Sequence, residues 1–239
     1  MISTVATAIV VVLAGSGVSH RKHNALGTVV LNGEKIQVNW TDGDSFKIKE
    51  GKFKGAGTRL QGFNTLEAYG PVHRWGEWTT HELFELAEDS AAHAAMKTWE
   101  CTTDEKKDGY GRLLVNCPEL TRHMVLDGYA MVYSVDGPVD PALLEVQQQS
   151  IKNKAGMWKK GAPKGVVTSL HSLGEPDSNG AVTAYNRVAD TRTGAAVKRE
   201  HQQRYDTCQE VCEETDGEKS CMVYVPFEKR YRHRPDCLK

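Results

Sequence analysis

The chain has no excess of either charge: 30 Lys and Arg stand against 31 Asp and Glu over 239 residues. That excludes a bulk positive field able to draw the whole molecule onto nucleic acid or anionic lipid, so any such contact must come from a few local residues. Long apolar runs are also missing. The one apolar stretch, from about Thr4 to Leu13, falls well short of the roughly 20 residues that a membrane-crossing helix needs. No Lys or Arg precedes it, but its order, an apolar run followed by small residues ending in Gly-Val-Ser, is that of an export signal. Residues 1–19 are therefore read as a signal peptide, with a buried strand as the competing reading. The six cysteines decide in favour of export, because an exported chain can keep an even set of thiols oxidised. The expected location is secreted or periplasmic, with no stable membrane association after processing. At 39% hydrophobic residues the remainder reads as one well-cored domain plus something smaller.

From Gly27 to about Asn64 the chain reads as a meander. "TVVL", "KIQVNW", "SFKIKE" and "TRLQGF" alternate or cluster strand-forming residues between Gly, Asn and Asp turns. A helix follows, opened by the capping-box pair Thr79 and Glu82 and carrying Leu83, Phe84, Leu86, Ala87, Ala91 and Ala94 on one face. "MKTWECT" and "GRLLVNC" are two strands joined at Asp108-Gly109. The matched distances from that turn set Cys101 opposite Cys117 and predict a cross-strand disulfide. "PELTRHMVLDG" is a second helix with Pro118 near its start and Gly128 after its end, "YAMVYS" a strand, and Pro141 to Lys154 a third helix. The fold class expected is α+β: a five-stranded β-barrel of the oligonucleotide-binding type with about three helices over residues 27–160. Residues 162–199, with little large apolar content, read as a linker. Residues 200–239 read as a Cys-rich C-terminal module, too small to fold without staples. Its Cys208, Cys212, Cys221 and Cys237 suit two disulfides of open pairing, since only the Cys208 to Cys212 interval has zinc-site spacing.

The stretch "WTDGDSFKIKE" sets Asp42 and Asp44 either side of a glycine, and alone it is a hairpin turn. Partners elsewhere change that reading: "RLQGFNTLE" at 59–67, "YGP" at 69–71, "YGR" at 110–112 and "KAGMW" at 154–158. With "DGDS" at 42–45 these five pieces, in this order, resemble the staphylococcal-nuclease (thermonuclease) domain family over about Glu34 to Lys160. The resemblance implies calcium-dependent phosphodiester hydrolysis. Carried over residue by residue, it makes Asp44, Asn64 and the Thr65 carbonyl calcium ligands, Glu67 the general base, and Arg59 and Arg112 the phosphate-binding arginines. Asp42 would orient metal-bound water, and the turn glycine would let the chain fold back so that Asp44 faces the 59–67 strand. Tyr110 and Tyr133 are the candidates for base stacking.

The chemistry stands independently of the resemblance. A five-coordinate phosphorus needs a hard cation on one oxygen and fixed donors on the others, and guanidinium forks bind two phosphate oxygens at once. Two departures matter: Asn64 puts an amide where the family has a carboxylate, and Leu66 stands where it has proline. Residues 34–160 carry 16 Lys and Arg against 19 Asp and Glu, net −3, which argues against tight binding without a cation. The expected function is a monomeric nuclease on DNA or RNA using Ca2+. The alternative is a barrel that has kept a nucleic-acid or protein binding surface and lost catalysis through Asn64. His73, Arg74, Trp75 and Trp78 either line the groove or pack against the barrel.

Overall fold

The computed structural model describes residues 24–175 and 183–230 together with Cys237. The proposed signal peptide and part of the proposed linker and tail lie outside the described residues. Strands β1 (Ala25–Leu31) and β2 (Glu34–Trp40) form a hairpin. Its turn, Asn32-Gly33, has both φ angles positive, at 51° and 85°, the twist that a two-residue hairpin requires. Period-two alternation turns Ile36, Val38 and Trp40 inward. β3 (Phe46–Ile48) extends this sheet on one side, and β7 (Trp99–Cys101) pairs parallel with β1 on the other.

Two short ladders complete this half: β4 (Thr58–Leu60) with β8 (Leu113–Val115), and β5 (Phe63–Thr65) with β9 (Ala130–Val132). The expected closed five-stranded barrel is corrected here. The β3/β4 and β7/β8 junctions are single bridges, Lys47 to Gly57 and Thr102 to Asn116, rather than ladders. The described residues therefore hold more strands, in several sheets, without a continuously hydrogen-bonded ring.

Three helices form as expected: α1 (Thr80–Ala94), α2 (Pro118–Leu126) and α3 (Pro141–Lys152). Thr79 and Glu82 satisfy each other's backbone at the start of α1. Pro118 opens α2, and the Asp140 carboxylate accepts from Ala142 N at 2.9 Å to cap α3. One core joins Val38, Trp40, Phe46, Leu60, Phe63, Val115, Leu120 and Met124.

The second half differs from expectation. Residues 162–199 are not a bare linker: they carry β10 (Gly165–His171), β11 (Tyr185–Asp190) and the start of β12 (Ala196–Glu200), an antiparallel sheet. Its apolar content is mostly small residues, so it looks empty by composition, yet Val166, Val167, Leu170, Val188 and Ala189 are all buried. β13 (Glu210–Thr215) and β14 (Glu218–Val223) follow, and β14 pairs with β6 (Val72–Trp75) of the first half. A second core confirms the join, with Trp75, Leu83, Met131 and Trp158 packed against Val166, Ala189 and Ala196.

Three disulfides are present: Cys101–Cys117, Cys208–Cys237 and Cys212–Cys221. The two in the tail remove the zinc reading. No helix of the described residues is long and apolar enough to cross a membrane, and the disulfides are consistent with an oxidising compartment.

Candidate functional site

The turn after β2 is held by its own first aspartate. Asp42 Oδ1 accepts from Asp44 N at 3.1 Å and from Ser45 Oγ at 2.5 Å, an Asx-type bracket. Gly43 sits at the centre of that bracket. Its backbone is not in the left-handed region, but an added Cβ would stand 2.6 Å from Met124 Cε and 2.7 Å from Thr65 Cγ2. The glycine is there for close approach, which presses the turn against β5.

That approach sets Asp44, 3% exposed, beside two partners. Its Oδ2 accepts from Thr65 N at 3.0 Å and forms an ion pair with Arg59 Nη1. Arg59 Nη2 donates to Asn64 Oδ1 at 2.6 Å, and Asn64 Nδ2 in turn donates to the Thr65 carbonyl at 2.7 Å. Asp44, Arg59, Asn64 and Thr65 are therefore one connected network that ties the turn after β2 to β4 and β5. Burial disfavours the Arg59 charge, but Asp44 and Asp42 outweigh it and hold the guanidinium more firmly protonated than usual.

Asp42 and Glu67 complete an acidic floor. Burial, then the Asp44 charge, pushes the Asp42 carboxyl well above its ordinary range, with the Ser45 hydroxyl pulling it back. Burial and Asp44 also push Glu67 up, against the pull of Arg59, Arg230 and Arg112. Three carboxyl groups crowd against one close guanidinium, and two of them, Asp42 and Glu67, resist ionisation. The floor's oxygens, from Asp44, Asn64, Thr65 and Glu67, are the hard donors that a divalent cation of this class takes. On chemistry the set fits, but Asn64 Oδ1 and the Thr65 carbonyl are already engaged by Arg59 and by the amide itself.

The nine residues expected in catalytic, cation-binding, water-orienting or stacking roles line one cleft of about 1250 Å³: Asp42, Asp44, Arg59, Asn64, Thr65, Glu67, Tyr110, Arg112 and Tyr133. They differ in how they are held. Arg112 Nε donates to Asp108 Oδ2 at 2.7 Å, and its guanidinium lies 5.5 Å from the exposed Tyr110 ring. Tyr133 lies 6.0 Å from the Arg59 guanidinium. His73, Trp75 and Trp78 are not in the cleft lining; both indoles donate to backbone carbonyls, of Gly161 and Met157. Residues that sequence reasoning missed make the opposite wall, among them His171, Glu175, Arg187, Phe227 and Arg230. The available signal was the clustering of strand-forming Val, Thr, Leu and Tyr in "GVVTSLH" and "YNRVAD".

Residues 58–160 match the family model described as staphylococcal nuclease homologue. A comparison with curated proteins finds no match. The match covers β4 through the turn at Gly156–Trp158, and a nuclease-like domain of this kind suggests nuclease-type or nucleic-acid-binding function. Asp42 and Asp44 precede the matched segment. The Asp44 contacts to Arg59 and Thr65 tie them to it.

Proposed function

We propose that the chain is a secreted, monomeric, calcium-dependent nuclease that hydrolyses phosphodiester bonds of DNA or RNA. The observation that supports this best is the convergence of Asp44, Arg59, Asn64, Thr65, Glu67 and Arg112 on one cleft. In this reading Asp44, the Asn64 amide oxygen and the Thr65 carbonyl hold the cation, which when bound neutralises charge developing on a phosphoryl oxygen. Glu67 accepts the proton of the attacking water. Its raised affinity for a proton, from burial and Asp44, suits that role, since a base works best with its pKa near the operating pH. Arg59 and Arg112 donate to the remaining phosphoryl oxygens as the phosphorus becomes five-coordinate. Asp42 keeps the turn in place and orients water at the floor.

A direct test incubates the oxidised protein with single-stranded DNA and RNA, in calcium and in chelator, beside Glu67→Gln. Loss of a general base is worth about 10²- to 10⁴-fold in rate, so the variant should lose cleavage by at least the lower figure and keep oligonucleotide binding. Cleavage indifferent to both chelator and Glu67→Gln would refute the mechanism.

One observation favours the second reading, a binding module without catalysis. Asn64 spends its amide on Arg59 and Thr65, so the network closes on itself without a cation. Oligonucleotide binding with no cleavage in calcium would select it.

A further inference from the structure

The opposite wall of the cleft comes from outside the matched segment. β10 supplies His171, β11 supplies Arg187, and the chain after β14 supplies Phe227 and Arg230. Folding alone does not account for Arg187. Its Nε is buried with no hydrogen-bond partner, and among the described residues no carboxylate pairs with its guanidinium, which lies 5.5 Å from the Tyr185 ring. The residue directly across the β11–β12 ladder is Lys198. Like charges facing each other across a ladder destabilise it, so this face is arranged at a cost to the fold. Arg199, next in sequence, has the Glu213 carboxylate at 2.9 Å; Arg187 has nothing comparable.

Arg230 is placed with more support. Its Nε donates to the Val225 carbonyl at 2.9 Å, its Nη2 to the Leu170 carbonyl at 3.3 Å, and Glu175 lies 3.7 Å away. Its stem crosses Gly70, where an added Cβ would stand 3.5 Å from Arg230 Cδ. Gly70 lies three residues past Glu67, and the Arg230 charge reaches the Glu67 carboxylate. Arg187 and Arg230 both act on His171, whose imidazole stacks on Tyr185 at 4.2 Å. A basic wall thus faces the acidic floor. Exposed Tyr110 and Phe227 line the same cleft, and such faces are stacking platforms that unpaired bases can reach.

We propose that this wall is a second phosphate subsite, in which Arg187 and Arg230 hold a backbone phosphate of a single-stranded polynucleotide flanking the one bound beside Glu67. The proposal rests on the reading that the cleft takes nucleic acid, with or without cleavage.

The test uses the full oxidised chain carrying Glu67→Gln, in calcium, so that both subsites are complete and binding is measured without appreciable cleavage, and two probes: a 12-nucleotide thymidine strand and a thymidine dinucleoside monophosphate, which has one phosphate and cannot span both subsites. Because Arg230 braces the fold, the variants are Arg187→Gln and Arg187→Lys. Arg187→Gln should weaken the 12-mer about tenfold, the loss of one charge-assisted contact, and reduce the slope of log affinity against log salt by about 0.7. It should leave the dinucleotide unchanged, and Arg187→Lys should restore the slope. An unchanged 12-mer affinity and slope, or an equal loss on the dinucleotide, would overturn the subsite. The two readings fail separately. A wild-type chain that binds the 12-mer through Arg187 but never cleaves it defeats the catalytic reading alone, whereas cleavage with binding indifferent to Arg187 defeats the subsite alone.

Discussion

Asn64→Asp is the substitution on which the cation reading turns. In the present network the amide does two jobs: it accepts from Arg59 at 2.6 Å and donates to the Thr65 carbonyl at 2.7 Å. A carboxylate keeps the first and loses the second, leaving a buried carbonyl without its donor and facing a negative oxygen. An unsatisfied buried group costs about 1–3 kcal/mol, and the added charge joins Asp44 on a floor where Asp42 and Glu67 already resist ionisation. The closer pairing with Arg59 offsets part of this. Without a cation the variant should therefore be less stable than the parent. With one the sign reverses: a unit-charge pair 4 Å apart at an effective dielectric near 20 is worth about 4 kcal/mol gross. If desolvation and repulsion cancel most of that, a net gain of about 1.4 kcal/mol still means tenfold tighter binding. Thermal melts in chelator and across a calcium titration read both halves, since a ligand at 100 times its Kd raises stability by about 2.7 kcal/mol. The expected pattern is a lower Tm in chelator and a calcium-induced rise that begins at lower concentration than in the parent. If neither chain responds to calcium, or both respond alike, Asn64 does not face a cation and the assignment of Asp44, Asn64 and Thr65 fails.

Two further predictions concern stability. Reducing the Cys101–Cys117 bridge, or replacing both cysteines by Ala, releases a loop with a sequence separation of 16, which the chain-entropy relation values at roughly 3 kcal/mol; denaturant melts that show no loss would refute the bridge as a staple. His73, on β6 opposite Met222 of β14, is fully buried, and burial lowers its pKa to about 3, against a slight pull the other way from the Val167 backbone. The unfolded chain protonates this histidine near pH 6.5 and the folded chain does not. Stability should therefore fall as pH drops from about 6.5 towards 3, at up to about 1.4 kcal/mol per pH unit from this residue. His73→Leu should remove that share of the slope, and an identical pH dependence of melting in both chains would refute it.

Where signals are local, the sequence was legible. The Thr79–Glu82 capping box, Pro118 with Gly128 and the turn between Cys101 and Cys117 each act within a few residues or across one hairpin, and each appears in the fold. The cleft's candidate residues were legible for a different reason, since five short motifs in order marked them. Long-range pairing was not readable. Strand β6, Val-His-Arg-Trp, lies beside "YGP" and read only as a dense aromatic and basic stretch, because its partner β14 lies well over a hundred residues later. Residues 162–199 looked like a linker because Val, Ala and Thr filled the inward positions where larger apolar side chains would have raised the signal. How Gly43 lets the chain fold back was equally out of reach, because its contact with Met124 and Thr65 exists only after the chain has folded.

The physical boundary of the nuclease-like domain does not coincide with the end of its matched segment at residue 160. Trp75 and Trp158, 6.2 Å apart between ring centroids, lie in a core whose other side is Val166, Ala189 and Ala196. Without β10–β14, β6 would also present unpaired backbone groups along an open edge, an aggregation hazard that folded proteins avoid. The C-terminal strands thus cover an edge, complete a core and bring Arg187 and Arg230 to the cleft. The three go together, because β14 pairs with β6 and packs against β10, while the β10–β11–β12 sheet lies against the second core. The opposite wall of the cleft is therefore built on the same contacts that hold the protein folded.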